Sequence, residues 1–401
     1  MIDKYENLKA RICEYADLNF EKYKEMALAI HARPEVSNYE FFACKTHSEQ
    51  LKNQGFEVKV DVAGHRTGFS ASYKSKKQGP VAVFLAEYDA LNGLGHGCGH
   101  NIFGCVSSLA AACLKQVTDE VGGEVRVYGT PGEEGGENGS AKGSFVREGF
   151  FKDVDFALCE HPGKDSFNSL TSSSLACAPL DIEFWGRSAH AASAPEKGIN
   201  ALDALIMVYN AANALRQHLP SDVKIHGIIV DGGKAPNMVP DYAHAKFYIR
   251  AASMPVMMDT YKKLEKIVEG AALQTGAKGR MQPYQNIVEN TIVTPLFDEV
   301  FKESLEEMGE KIGGAPVSIG SSDVGNVSQV VPTIQPNLSI TRESIPNHSE
   351  LMVKAACSEY GLETIRLGAK TLALTALKLM MDPERLQAIK AQHAEKLKDQ
   401  A

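Results

Sequence analysis

Six residues of this 401-residue sequence combine the right chemistry with useful spacing: Cys98, His100, Glu133, Glu134, His161 and His348. His96-x-Cys98-x-His100 places three soft or borderline donors at alternate positions. In extended chain such side chains point the same way. Imidazole and thiolate together suit zinc and its neighbours. Read alone, the stretch fits two polar loop histidines and a small buried cysteine equally well. Glu133 and Glu134 are adjacent among glycines, so in irregular chain they point different ways. One can bind metal while the other stays free as a base. Two ions sharing a site need roughly five to seven donors and one bridging group, and a thiolate or a carboxylate can bridge. A free carboxylate beside a metal-activated water is what amide hydrolysis requires. The plainer alternatives are a solvated acidic turn for Glu133-Glu134 and a loop histidine for His161. His348 alone carries almost no signal.

The surrounding elements bring these residues together. Val81 to Ala86 is a short apolar run, as in a parallel strand buried on both faces. It breaks into the Gly-rich chain that carries Cys98 and His100, and a helix from Ile102 to about Val117 follows. Glu124 to Tyr128 reads as a strand ending at Gly129-Thr130-Pro131-Gly132-Glu133-Glu134-Gly135-Gly136, and a helix follows from Ser140 to Glu148. Val154 to Leu158 reads as a strand ending at Cys159-Glu160-His161-Pro162. Successive strands that alternate with helices predict a mostly parallel sheet, with these loops gathered along one edge. That convergence outweighs any one of the motifs.

Before this core, residues 1–54 read as two helices, with Leu8, Ile12, Tyr15, Leu18, Met26, Ala29 and Ile30 at helical spacing. His31-Ala32-Arg33-Pro34 ends the first, and Gly55 stops the second. Phe56 to Val62 and Thr67 to Tyr73 alternate like strands. After the polar Ser169 to Ser174 stretch, the order is strand (178–185), helix (200–219), strand (225–230), strand (243–251), helix (257–275), strand (279–285). This is the ferredoxin-like βαββαβ order, which can be inserted into a larger domain at a surface loop. The expected organisation is a discontinuous larger domain, 1–175 and 288–401, that carries the candidate ligands, with an inserted unit, 176–287. A helix over 295–309 and a closing pair over 350–381 and 383–398 complete the chain.

Composition narrows the field. A 44% hydrophobic and 23% charged chain is ordinary globular protein. A net charge of −8 disfavours nucleic acid and anionic membranes as partners. No apolar run approaches the roughly 18 residues of a membrane span. Eight cysteines without a CxxC pair do not form a disulfide framework, and a cytoplasmic setting is the simplest fit.

Read together, the motifs resemble the amidohydrolase branch of metallopeptidase family 20, over nearly the whole chain. The carriers are Asp89-Ala90-Leu91 with Gly95-His96-Gly97-Cys98-Gly99-His100-Asn101, the Gly129 to Gly136 loop, and Glu160-His161-Pro162. Gly186-Arg187-Ser188-Ala189-His190-Ala191, Asn237-Met238-Val239-Pro240 with Arg250, and Ser321 to Ser328 add to them. The resemblance implies a metal-dependent hydrolase acting on N-acyl amino acids or dipeptides with a free carboxylate. It implies two divalent ions (Zn, Mn or Co), with Cys98 as the bridging thiolate and His100, Glu134, His161 and His348 as the other ligands. Glu133 is then the general base and acid. His190 reaches a partner subunit's site and stabilises the oxyanion, which implies a homodimer through the inserted domain. Asn237 and Arg250 bind the substrate carboxylate; a planar guanidinium can take it bidentately.

Two departures from the family pattern stand out. Asn101 replaces the usual Asp, at a position expected to orient a ligand, and Gly132 replaces an Ala, with loop stiffness as the expected effect. His96 is expected to support the ligands rather than to be one. Two rival readings are a non-catalytic relative that binds an acylated amino acid or a protein, and a cysteine hydrolase with Cys98 as nucleophile and His100 as base. In the second, two residues of extended chain give an awkward hydrogen-bonded pair.

Overall fold

The computed structural model describes residues 2–315 and 320–400. The chain opens with helices α1 (Ile2–His31) and α2 (Phe41–Asn53) and a hairpin of β1 (Glu57–Val62) and β2 (His65–Lys74). Then come β3 (Val81–Ala86), α3 (His100–Val121), β4 (Glu124–Gly129), α4 (Ala141–Arg147), β5 (Phe156–Leu158) and β6 (His161–Gly163). The next unit holds β7 (Ala176–Trp185), α5 (Ala201–Leu215), β8 (Lys224–Asp231), β9 (Tyr242–Ala251), α6 (Met254–Thr275) and β10 (Lys278–Pro283). The chain closes with α7 (Pro295–Glu307), α8 (Val324–Ser328), β11 (Thr333–Ile334), β12 (Asn337–Ser339), α9 (Glu350–Ala355), α10 (Glu359–Met381) and α11 (Pro383–Lys398).

The fold is mixed α/β. Its main sheet has six strands in the order β1-β2-β4-β3-β5-β11, and β4, β3, β5 and β11 run parallel. Strand β3 shows no in–out alternation: Ala82 to Ala86 are all fully buried, because helices cover both faces of a parallel sheet. The apolar α3 and α10 pack against each other beside this sheet. The second sheet is antiparallel, in the order β10-β7-β9-β8, with α5 and α6 packed on it. Its core is separate from that of the main sheet. The chain pairs with itself where it enters and leaves this unit: Cys177 and Val288 form a two-way backbone bridge. No helix among the described residues is long and apolar enough to cross a membrane.

Several local expectations are corrected. The buried stripe of α1 is Leu8, Ile12, Ala16, Phe20, Tyr23, Ala27 and Ile30, whereas Leu18 is 77% exposed and Ala29 is exposed too. Steps of three carried the expected stripe off the buried face; steps of about 3.6 keep it there. The single helix expected over 350–381 is two, because Ser358 turns extended and its side chain accepts from Gly361 N–H to start α10. The short strands β6, β11 and β12 lie in stretches too brief to show a period.

Candidate metal centre

Helix α3 begins at His100, two residues earlier than its apolar pattern shows, after Gly99 at φ 80°. His96, Cys98 and His100 therefore do not lie in one extended segment. Leu91 and Gly95 bridge across a tight turn, and His96 turns away to stack on His31 at 5.9 Å. Burial holds the His96 imidazole neutral, with its pKa lowered to about 3. Cys98 and His100 remain with the loops of the neighbouring strands.

Asp89, just past β3, ties two of these loops together. Its Oδ1 accepts from His100 Nδ1 at 2.9 Å and its Oδ2 from the Glu134 backbone N–H at 2.9 Å. With Nδ1 carrying the proton, His100 Nε2 keeps its lone pair. That Nε2 is buried and has no hydrogen-bond partner among the described residues; it lies 3.2 Å from Glu87 Oε2 and 4.0 Å from Glu133 Oε2. His161, at the start of β6, donates Nδ1–H to the Pro162 carbonyl at 3.0 Å, and its Nε2 faces Cys98 Sγ at 3.5 Å. His348 comes from the loop before α9, at φ 50°, a left-handed conformation that costs a non-glycine residue about 1 kcal/mol or more. Its Nε2 lies 3.6 Å from Glu134 Oε2.

Ligand atoms of Cys98, His100 and His161 lie within 4.8 Å of one another, and so do those of Cys98, Glu134 and His348. The two groups share only the thiol. This donor set fits two divalent ions with a sulfur bridge. Two buried atoms of the set, His100 Nε2 and Glu134 Oε1, lack a hydrogen-bond partner among the described residues, as metal-binding atoms would. Burial lowers His100, but Asp89 and then Cys98 outweigh it and raise the imidazole well above its ordinary value, so an ion bound at Nε2 would displace a proton there. Burial first, then Glu134, pushes the Cys98 thiol up, so a thiolate there needs a cation beside it. Burial above all lowers His161 to about 4 and leaves it in the neutral, ligating form. Burial first, then Glu87 and Glu134, raises the Glu133 carboxyl well above the usual range.

Groups that the motifs did not advertise hold this centre. Glu40, before α2, accepts from the Gly132 N–H at 2.9 Å and from Thr67 Oγ1 at 2.8 Å. Glu40 and Asp89 thus grip the backbone on either side of Glu133. Gln285 and Asn286, just past β10, clasp the same loop: Gln285 Oε1 accepts from Gly136 N–H, and Asn286 Nδ2 donates to the Ser140 carbonyl, both at 3.0 Å. Behind the loop, Lys142 pairs with Glu87 at 2.8 Å and Asp323 at 2.6 Å. Only Asp89 and Asp323 fell within motifs; Glu40, Glu87 and Lys142 read as ordinary charged residues, and Gln285 and Asn286 as ordinary loop residues.

Both departures have a structural reading. Among the described residues Asn101 makes no hydrogen bond to a candidate ligand; its Nδ2 donates to the carbonyls of Ala27 and Ala356, joining α1 to the end of α9. Asp89 does the orienting instead. Gly132 sits at φ 69°, and a Cβ there would stand 2.4 Å from Ser37 Oγ, so more than loop stiffness is involved.

A cavity of about 570 Å3 opens over the centre, lined by Cys98, Glu133, Glu134, His161 and His348. Arg250, on β9, lines its far wall and donates to Ser321 Oγ at 2.9 Å. His190 and Asn237 are not in this wall. Both are exposed on the smaller unit, where His190 bridges Met238 and Ala191 N–H donates to the Asn237 carbonyl at 3.0 Å. His190 Nδ1 accepts from Ala192 and Ser193 N–H, so the neutral ring carries its proton on Nε2.

Residues 178–277 match the model of a peptidase dimerisation domain. The chain is 32% identical to mouse Xaa-Arg dipeptidase, over 98% of this chain and 94% of that protein. It is 30% identical to one of the p-aminobenzoyl-glutamate hydrolase subunits of Escherichia coli, over 93% and 92%. Among solved structures, an aminobenzoyl-glutamate utilization protein from Klebsiella pneumoniae superposes with a TM-score of 0.74 at 19% identity, covering 92% of this chain and 98% of that one. A dinuclear metal-binding peptidase from Bacillus subtilis gives a TM-score of 0.64 at 19% identity, covering 90% and 99%. The four-stranded unit inserted beside a parallel sheet, the paired donor groups above that sheet and these full-length likenesses lead to one conclusion: the chain belongs to metallopeptidase family 20.

Proposed function

We propose that this hydrolase uses two divalent ions, held through Cys98, to cleave the amide bond of an N-acyl amino acid or dipeptide that carries a free carboxylate. One observation carries the reading: two donor groups that share Cys98 stand beside Glu133, at the floor of a cavity with Arg250 in its wall. Cys98 would be shared between the ions, His100 and His161 would complete one donor group, and Glu134 and His348 the other. Ions held there would supply water activation and polarisation of the amide carbonyl.

Glu133 accepts the proton of the attacking water and delivers it to the leaving nitrogen. Burial raises its affinity for protons, and the charge of bound cations would bring it back towards the range in which one carboxyl both accepts and delivers a proton. Arg250 takes the substrate carboxylate, with Asn237 as its companion. His190, with its proton on Nε2, donates to the developing oxyanion. His190 and Asn237 reach the cavity of the second protomer in a homodimer formed through the smaller unit, whose model is that of a dimerisation domain. The named activities of the relatives, an Xaa-Arg dipeptidase, a p-aminobenzoyl-glutamate hydrolase and a hippurate hydrolase, share an amide beside a carboxylate. Zinc suits the thiolate and imidazole donors and manganese the carboxylate, and cobalt lies between them in the same series. Eight free thiols suit the reducing cytoplasm.

The test is a panel of N-acyl amino acids and dipeptides, assayed after loading with Mn, Zn or Co. Turnover of at least one class is expected. Bound metal with no turnover across a broad panel would contradict the reading.

A further inference from the structure

Lys142 belongs to no step above, yet it is fully buried in the first turn of α4. Its Nζ lies 2.8 Å from Glu87 Oε1 and donates to Asp323 Oδ1 at 2.6 Å, and Asp323 Oδ2 accepts from the Lys142 backbone N–H at 3.1 Å. Glu87 and Asp323 are themselves buried. Replacing such a buried ionic group by apolar side chains is often neutral or stabilising, so stability is a weak reason to have it.

The position of Glu87 supplies a better reason. Its second oxygen stands 3.2 Å from His100 Nε2, the atom assigned above to metal. Ligand atoms of Glu87, His100 and Glu133 lie within 4.8 Å of one another, close enough to share an ion. An unrestrained carboxylate here could join the coordination sphere and draw the ion towards Glu133. Lys142 engages the opposite oxygen. Asp323 in turn is two residues from Ser321, which receives Arg250.

We propose that Lys142 is a positioning residue: clamped between Glu87 and Asp323, it holds the Glu87 carboxylate out of the metal's coordination sphere and so keeps Glu133 free to move protons. The inference rests on the two-metal reading. It adds a device that sets coordination number from behind the ligands.

The test is the visible spectrum of the cobalt-loaded full-length protein, with steady-state kinetics beside it. Lys142→Met frees Glu87. The cobalt bands should weaken, as they do when coordination number rises, and kcat should fall about 100-fold while KM moves less than about threefold. Adding Glu87→Gln to Lys142→Met should return the bands to wild-type intensity. Asp323→Asn, which loosens the other side of the clamp at nearly constant volume, should give a smaller weakening and serves if Lys142→Met does not fold. Wild-type bands in folded Lys142→Met or in Asp323→Asn would overturn the proposal, and so would weakened bands that persist in the double variant. The spectrum needs no turnover. Cobalt-loaded protein that shows these shifts but cleaves nothing keeps the clamp and loses the amidohydrolase reading. A wild type that takes up no cobalt overturns both.

Discussion

The two halves of the proposed site are built differently. The metal half is cross-tied and, His348 apart, largely buried: Asp89 bonds both His100 and the Glu134 backbone, Glu40 bonds the Gly132 backbone, and Cys98 stands against His161. The substrate half is sparse. His190 and Asn237 are exposed, and of the three substrate groups only Arg250 reaches the cavity of its own chain. The contrast teaches where the preorganisation lies. On the proposed roles, the groups that would activate water are held within one chain before substrate arrives, whereas those that would stabilise charge on the substrate await a second chain or closure of the units.

Substitutions can separate the halves. The largest effect is expected in the buried half. Cys98→Ala removes the shared ligand, so turnover should drop by about 1000-fold or more, with metal per chain falling in the same samples. Full metal retention in that variant would break the contrast, because the thiol would then not be shared.

Next in size is His190→Ala. Loss of an oxyanion donor costs about 100- to 1000-fold in kcat, and metal content should stay at the wild-type level. Mixed oligomers sharpen the point. His190→Ala chains combined with Glu133→Gln chains should regain activity that neither has alone, since one site of the hybrid keeps both groups. No regain in hybrids confirmed by mass would place His190 in its own chain's site. Arg250→Ala should act mainly on KM, raising it about 10- to 100-fold, the worth of a charged hydrogen bond. An unchanged KM with a collapsed kcat would move Arg250 into the chemical step.

The last prediction leaves turnover for stability and concerns the grip on the loop. Burial first, then Asp89, raises Glu40 from its ordinary 4.5 to about 8. Its raised folded pKa means a stability contribution that is full below pH 4.5 and is lost as pH rises towards 8. Glu40→Gln has no such carboxyl. The wild-type-minus-variant difference in unfolding free energy, from denaturant melts of metal-free protein, should therefore decline across that window. A flat difference would mean that Glu40 is ionised in the fold and holds Gly132 as an anion.

How much of this was legible depended on whether a residue's role shows in its neighbours along the chain. The parallel strand β3, the βαββαβ order and the ligand loops at strand ends all follow from runs, periods and Gly-rich breaks. Cys98, His100, Glu133, Glu134 and His161 stood out because metal-binding residue types clustered at such breaks. His348 did not, and the structure brings it to Glu134 across 214 positions. Glu87, Glu40 and Lys142 were hidden for another reason. A buried carboxylate or lysine looks like a surface residue until its partner is known, and Lys142 and Asp323 are 181 positions apart. Asn101 misled in the opposite direction: its place in the motif suggested work on a ligand, and its contacts are with helix carbonyls.

The central claim is that Glu133 moves the proton while its neighbours hold the metal. It is tested most directly by Glu133→Gln, with metal per chain and turnover measured on one preparation. The account predicts wild-type metal content and turnover reduced by about 1000-fold or more. Surviving turnover at full metal content would contradict it, because some other group would then be the base.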